Sequence, residues 1–136
     1  MLAIGQLAKS AGVSIDTVRY YERQDLLLPC ERTASGYRRY SDDSVRRLRF
    51  IRKAQGLGFT LAEIRELLAL AEDESVDCGA IRERAQIKIN EIQPRIDDML
   101  RIKKALEELA QYCPGSGKPL KDCTILEYFY RDEDQK

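Results

Sequence analysis

The sequence predicts a mainly α fold: a winged helix-turn-helix N-terminal domain, then a long coiled-coil helix, then a short cysteine-bearing loop. Three observations carry this expectation. Two stretches of helical apolar spacing flank a glycine within residues 4–24. A glycine-centred turn separates two extended stretches within residues 31–40. From residue 79 to residue 112 an apolar side chain returns at steps of three or four.

Ile4, Leu7 and Ala8 repeat at helical spacing, Ala11-Gly12-Val13 breaks the pattern, and Ser14 opens a second helix reaching Gln24. Gly12 permits the tight turn, and the Ser14 hydroxyl can accept from a free amide of the first turn. Asp16, Thr17, Arg19 and Tyr20 lie around a buried side that includes Val18, a donor-rich face suited to the major groove of DNA. Leu26-Leu27-Leu28-Pro29 then leads into a short strand, a turn at Ala34-Ser35-Gly36 and a returning strand Tyr37-Arg38-Arg39-Tyr40, which together read as a β-wing. There Arg38 or Arg39 can hold phosphate while the tyrosines pack or donate from their hydroxyls. Ser41 is expected to cap a helix from Asp42 to Gln55, with acids in its first turn. Arg46, Arg47, Arg49, Arg52 and Lys53 on this helix fit either a solvated face or a surface for a polyanion, and the wing beside them favours the second.

Gly56-Leu57-Gly58-Phe59 stops that helix, and Thr60-Leu61-Ala62-Glu63 forms a capping box for the next, which runs to about Ala71. Residues 72–77 are acidic and interrupt the pattern. Ile81, Ala85, Ile89, Ile92, Ile96, Met99, Ile102, Leu106, Leu109 and Cys113 then form one seam on a helix from about Gly79 to Tyr112. A rod of about thirty residues cannot bury its own stripe, so a second copy is the simplest cover. Pro94 removes an amide donor at a cost of roughly 3 kcal/mol and predicts a kink near Asn90. The acidic tail at 132–136 is expected to fray.

Composition narrows the function. The 136 residues are 43% hydrophobic and 34% charged, with no histidine, which removes imidazole acid/base chemistry and makes an enzyme unexpected. The 23 basic and 23 acidic side chains are unevenly placed: residues 1–60 carry 11 and 6 of them, residues 61–136 carry 12 and 17. A basic half followed by an acidic half points to an N-terminal surface for a polyanion. No stretch approaches a membrane span and the N-terminus lacks a signal pattern, so the expected location is the cytoplasm, without membrane contact.

Cys113 and Cys123 bracket nine residues containing two glycines and two prolines, a loop able to bring both sulfurs to one ion. Cys78 sits at the other end of the long helix, and thirty-four residues at about 1.5 Å each span roughly 50 Å. If the seam pairs two chains antiparallel, Cys78 of one chain meets Cys113 and Cys123 of the other, and each dimer holds two three-thiolate sites. Three thiolates without imidazole select a thiophilic divalent ion, Hg(II), Cd(II) or Pb(II) before Zn(II), with Asp122 or water as a fourth ligand for zinc. Cys30 lies apart from the other three and reads as a bystander.

The motifs IGQLAKSAGVSIDTVRYYERQDLL, SGYRRYSDDSVRRLRFIRKAQGLGFTLAEIRELL and CPGSGKPLKDCTILE together resemble the MerR family of metal-responsive transcription regulators over nearly the whole chain. The resemblance implies a homodimer with a winged helix-turn-helix DNA-binding domain at 1–71, a linker and antiparallel dimerisation helix at 72–112, and a metal loop with a short helix at 113–136. It implies DNA contacts from Thr17, Arg19 and Tyr20 and from the wing residues Arg38, Arg39 and Tyr40. It implies binding to a palindromic operator in double-stranded promoter DNA. There metal binding distorts the spacer so that RNA polymerase engages the promoter. Within the family, Cys78 argues against the copper type, and the lack of an adjacent second cysteine and a loop histidine argues against the zinc type. Mercury(II) is the first expectation, with cadmium, lead and zinc behind it. The competing expectation is a thiol redox sensor in which Cys113 and Cys123 form a reversible disulfide.

Overall fold

The structure is a computed structural model that describes residues 1–28, 31–32 and 34–132, with the backbone alone at 31, 32 and 38. Cys30 and the tail at 133–136 lie outside the described residues. Two compact units make up the chain, Met1–Lys88 and Ile89–Lys136.

In the first unit, β1 (Leu2–Ala3) leads directly into α1 (Ile4–Ala11), whose first turn is held by the Gln6 side chain accepting from the Ala3 amide at 3.0 Å. Gly12 ends α1 in the left-handed region, at φ +70°, where a side chain would be strained. As expected, Ser14 caps α2 (Ile15–Arg23): its Oγ accepts from the Thr17 amide at 3.1 Å. After α2 the chain turns at Asp25, φ +58°, and drops Leu26 and Leu27 together into the core. Adjacent residues of a strand point to opposite faces, so two leucines that share one side belong to the lead-in before the wing and not to its first strand.

The wing is present as β2 (Glu31–Arg32) antiparallel to β3 (Arg38–Tyr40), with Glu31 opposite Arg39 and Arg32 opposite Arg38. β1 joins the other edge of β3, Leu2 opposite Tyr40, so the sheet order is β1-β3-β2. α3 (Asp42–Gly56) starts at Ser41, but the serine hydroxyl makes no capping hydrogen bond, contrary to expectation; Asp42 and Asp43 complement the helix dipole there instead. Gly58, φ +90°, reverses the chain, and Thr60 and Glu63 form the expected reciprocal box on α4 (Leu61–Ala71). Leu7, Val18, Tyr21, Leu48, Ile51 and Ile64, from α1 to α4, are fully or almost fully buried against one another.

α5 (Cys78–Tyr112) is one helix that continues through Pro94. Its start is fixed by Asp77, whose Oδ1 accepts from the Gly79 amide at 2.9 Å. The unit boundary falls inside α5 because its first three turns pack with the N-terminal core: Ile81 lies against it, Arg84 pairs with Glu66 at 2.6 Å, and Lys88 pairs with Glu63 at 2.8 Å. In the second unit the rest of α5 is followed by a loop, a 3₁₀ turn (Leu120–Asp122) and α6 (Thr124–Tyr130). None of its described residues is buried, and Ile89, Ile96, Met99, Ile102 and Leu106 along the seam are exposed. Among the described residues no helix is long and apolar enough to cross a membrane.

Candidate functional site

The first candidate surface is built on α2 and the wing. Arg19 extends from α2 with its side chain about half exposed and only a loose pairing to Asp16 at 3.9 Å, so the guanidinium is available to a phosphate or a base edge. Tyr20 is 40% exposed, its ring held at 5.7 Å from that of Tyr21. Thr17 is half-buried, with Oγ1 2.8 Å from Ser14 Oγ, so its hydroxyl is already engaged in the cap. Arg39 is half-buried on β3, and the Arg38 side chain lies outside the described residues.

Tyr40 corrects the sequence expectation. Its ring is fully buried and its hydroxyl donates to Glu22 Oε1, so it fastens the wing to α2 and presents no phenol to DNA. The tyrosine that does face outward is Tyr37, 72% exposed at the wing turn. Together with Arg19, Glu22, Arg23 and Gly36 it lines a cleft of about 560 Å³ between α2 and the wing. Arg23, at the end of α2, and Tyr37 join the candidate residues only through this cleft; the basic and aromatic alternation of the wing was a signal in the sequence for Tyr37, and Arg23 had none. The α3 cations divide into two groups. Arg47 donates to the Leu26 carbonyl at 2.6 Å and pairs with Glu72, and Arg49 donates to the Ser10 carbonyl at 3.1 Å, whereas Arg46, Arg52 and Lys53 are exposed.

The second candidate site is the loop between Cys113 and Cys123. Both are free thiols, half-buried, and both line one small cavity. Gly115 and Gly117, at φ +82° and +87°, let the loop double back, and the Asp122 amide donates to the Pro119 carbonyl at 3.0 Å to close it. A cavity of about 130 Å³ is lined by residues that include Cys113, Pro114, Lys118, Pro119 and Cys123. Cys123 stands at the N-cap of α6. The Leu126 amide, with smaller contributions from the Ile125 amide and the Cys113 thiol, holds its thiol below the ordinary cysteine range against an opposing effect of burial. Within this unit no third Cys, Asp or Glu among the described residues joins the pair, Asp122 included. Cys78 is exposed as the first residue of α5. Two soft sulfurs, one biased toward thiolate, with no hard oxygen ligand beside them, fit a thiophilic ion and do not fit magnesium or calcium.

Known proteins give the arrangement a context. Residues 2–71 match the model for the MerR HTH family of regulatory proteins, and residues 45–109 match a second model described as MerR, DNA binding. The chain is 43% identical to a mercuric resistance operon regulatory protein of Bacillus cereus, over 91% of this chain and 93% of that one. Among solved structures it is similar to the lead(II) complex of the transcription regulator PbrR691 from Ralstonia metallidurans CH34. That match has a TM-score of 0.83 and 29% identity, covering 95% of this chain and 99% of that one. It is also similar to the mercury(II) complex of the dual function regulator MerR of Bacillus megaterium MB1. Here the TM-score is 0.72 and the identity 40%, over 96% of this chain and 100% of that one.

Proposed function

The chain belongs to the MerR family of helix-turn-helix transcriptional regulators, a family of regulators and not of enzymes, and on that premise we propose that it is a homodimeric, metal-responsive switch at a palindromic promoter operator. In this reading Thr17, Arg19 and Tyr20 of α2 meet the DNA with Arg38 and Arg39 of the wing, and Arg23 and Tyr37 contribute from the cleft between them. Tyr40 serves as the tie that keeps the wing in place.

The observation that carries the metal assignment is that Cys113 and Cys123, both free thiols, line one small cavity of the loop between them. We assign the ion to Cys113, Cys123 and the partner subunit's Cys78. When bound, a thiophilic cation supplies a link between the loop of one subunit and the start of α5 in the other. Support for a second subunit comes from the exposed stripe Ile89, Ile96, Met99, Ile102 and Leu106, whose burial needs a facing helix. A relative named for mercuric resistance and a neighbour holding mercury(II) favour Hg(II) as inducer, and the lead(II) neighbour keeps Pb(II) close behind, with Cd(II) and Zn(II) following. The proposed output is a distortion of the promoter spacer that lets RNA polymerase engage both of its elements. Replacing Cys113→Ser is expected to abolish mercury(II)-dependent transcription while leaving operator binding intact; full induction by the variant would overturn the assignment.

The sharing of one small cavity by the same two thiols also favours a second reading, a redox sensor working through a Cys113–Cys123 disulfide. Mass spectrometry after anaerobic loading separates the two. Bound metal with every thiol reduced supports the metal switch, and induction by oxidant in metal-free medium supports the disulfide.

A further inference from the structure

Lys88 is a lysine in the wrong place for a surface helix: it is 7% exposed, the one buried residue of α5. Its Nζ donates to Glu63 Oε1 at 2.8 Å and sits 5.3 Å from the centre of the Phe59 ring. The same Glu63 oxygen accepts the Thr60 amide at 2.8 Å, so one carboxylate both caps α4 and receives the ammonium of α5. Stability alone does not account for this. Burying an ammonium loses hydration that an ion pair often fails to restore, and an apolar side chain of the same length holds two helices together as well or better. The charge adds register: with Arg84 on Glu66 one turn earlier, Lys88 on Glu63 fixes α5 against α4 at one setting.

The contact also leads somewhere. Phe59 and Thr60 belong to the turn between α3 and α4, and that turn is stitched back onto the end of α3, with the Phe59 amide donating to the Ala54 carbonyl at 3.1 Å and the Gly58 amide to the Gln55 carbonyl at 3.0 Å. Gln55 in turn accepts the Tyr21 hydroxyl at 2.5 Å, and Tyr21 lies on α2 next to Tyr20. A continuous series of contacts thus runs from α5 through Glu63, the turn and Gln55 to the helix proposed to meet DNA.

We propose that Lys88 is the positioning residue through which α5 reports to the helix-turn-helix, holding the turn between α3 and α4 by way of Glu63. This rests on the metal-responsive reading above, because the signal relayed is the state of α5 when its cysteines are engaged.

The test compares the full-length chain with Lys88→Met, which keeps the stem and loses the charge, with Lys88→Arg, which keeps the charge, and with Glu63→Gln, which keeps an oxygen for the Thr60 amide. Operator affinity without metal, mercury(II) stoichiometry and the mercury(II)-dependent activation ratio are measured for each. Lys88→Met and Glu63→Gln are expected to bind metal and operator as the parent does, while the activation ratio falls about tenfold, inside the roughly 5–150-fold span of coupling between sites. Lys88→Arg is expected to recover most of it. Equal activation ratios in the parent and both uncharged variants would overturn the proposal, as would a loss of metal-free operator affinity as large as the loss of activation, which marks a purely structural residue. Should Lys88→Met not fold, Glu63→Gln decides alone. A parent chain indifferent to mercury(II), cadmium(II) and lead(II) overturns the metal reading and this proposal together, whereas a responsive parent with equally responsive variants overturns only this proposal.

Discussion

In residues 1–88, Leu7, Val18, Leu48, Ile51 and Ile64 are fully buried within a single chain, while in residues 89–136 Ile96, Met99, Ile102 and Leu106 stand 46%, 64%, 52% and 52% exposed. Both regions carry apolar residues at helical spacing, and the difference lies in what each has to pack against. Four helices and a small sheet close around the first set. The second lies on one long helix, where these four side chains stay exposed, and the proposed second copy is what would cover them. A fold complete in one chain carries the proposed DNA-reading elements, and an incomplete one carries the paired thiols.

Leu48→Ala attacks the closed region. It is expected to lower stability by about 2–5 kcal/mol, read as a fall in the urea midpoint, because a cavity opens at a site with no exposure. Ile102→Glu attacks the open one. Helix content and the urea midpoint of the isolated chain are expected to hold, while the sedimentation coefficient drops to that of a single chain and operator affinity falls about 100-fold, the size of a central interface residue. If Ile102→Glu unfolds the chain instead, the stripe is an intramolecular core.

Smaller effects refine the division. Tyr40→Phe keeps the buried ring and removes the donor to Glu22, with an expected cost of about 1.5 kcal/mol in thermal stability, as for a hydrogen bond to a charged acceptor, and a few-fold weaker operator binding as the wing loosens. Unchanged operator binding would show that the wing holds without this tie. The smallest change concerns acid. Lys88 first, then the Thr60 amide, lower the Glu63 pKa from 4.5 to about 2. The native state therefore prefers the ionised carboxylate. Its contribution is fully present above the unfolded pKa and is lost as pH falls from 4.5 through about 2. Glu63→Gln is expected to lower stability near neutrality, where the parent carboxylate is ionised and paired with Lys88, and to flatten the stability–pH curve in that window so that the two curves converge in acid, as followed by thermal melts from neutral to acid pH.

Periodicity and capping chemistry made α1 to α5 legible, since Ser14, Gly12 and the Thr60–Glu63 box each act through their immediate neighbours. The wing was legible from its glycine turn, and the two loop thiols from their spacing. Features that depend on tertiary contact were not. β1 has two residues and no pattern to read; it exists because β3 offers an edge. Leu26 and Leu27 read only as a lead-in to the wing, and the Asp25 turn sends both into the core. Tyr40 reads as a DNA contact in sequence and becomes a core ring because it ends the central strand beneath α2. Lys88 reads as one more solvated lysine, and only the approach of α4 brings Glu63 and Phe59 to it.

Whether two copies build each thiolate centre can be measured by mixing. A chain with Cys78→Ser and a chain with Cys113→Ser and Cys123→Ser each lack a complete trio, but a dimer of one with the other holds one intact set drawn from both. After the two are unfolded together, refolded and loaded with mercury(II), the near-ultraviolet absorbance of three-sulfur coordination is expected to appear in the mixture and in neither variant alone. A mixture that absorbs only as the sum of its parts would contradict the shared centre.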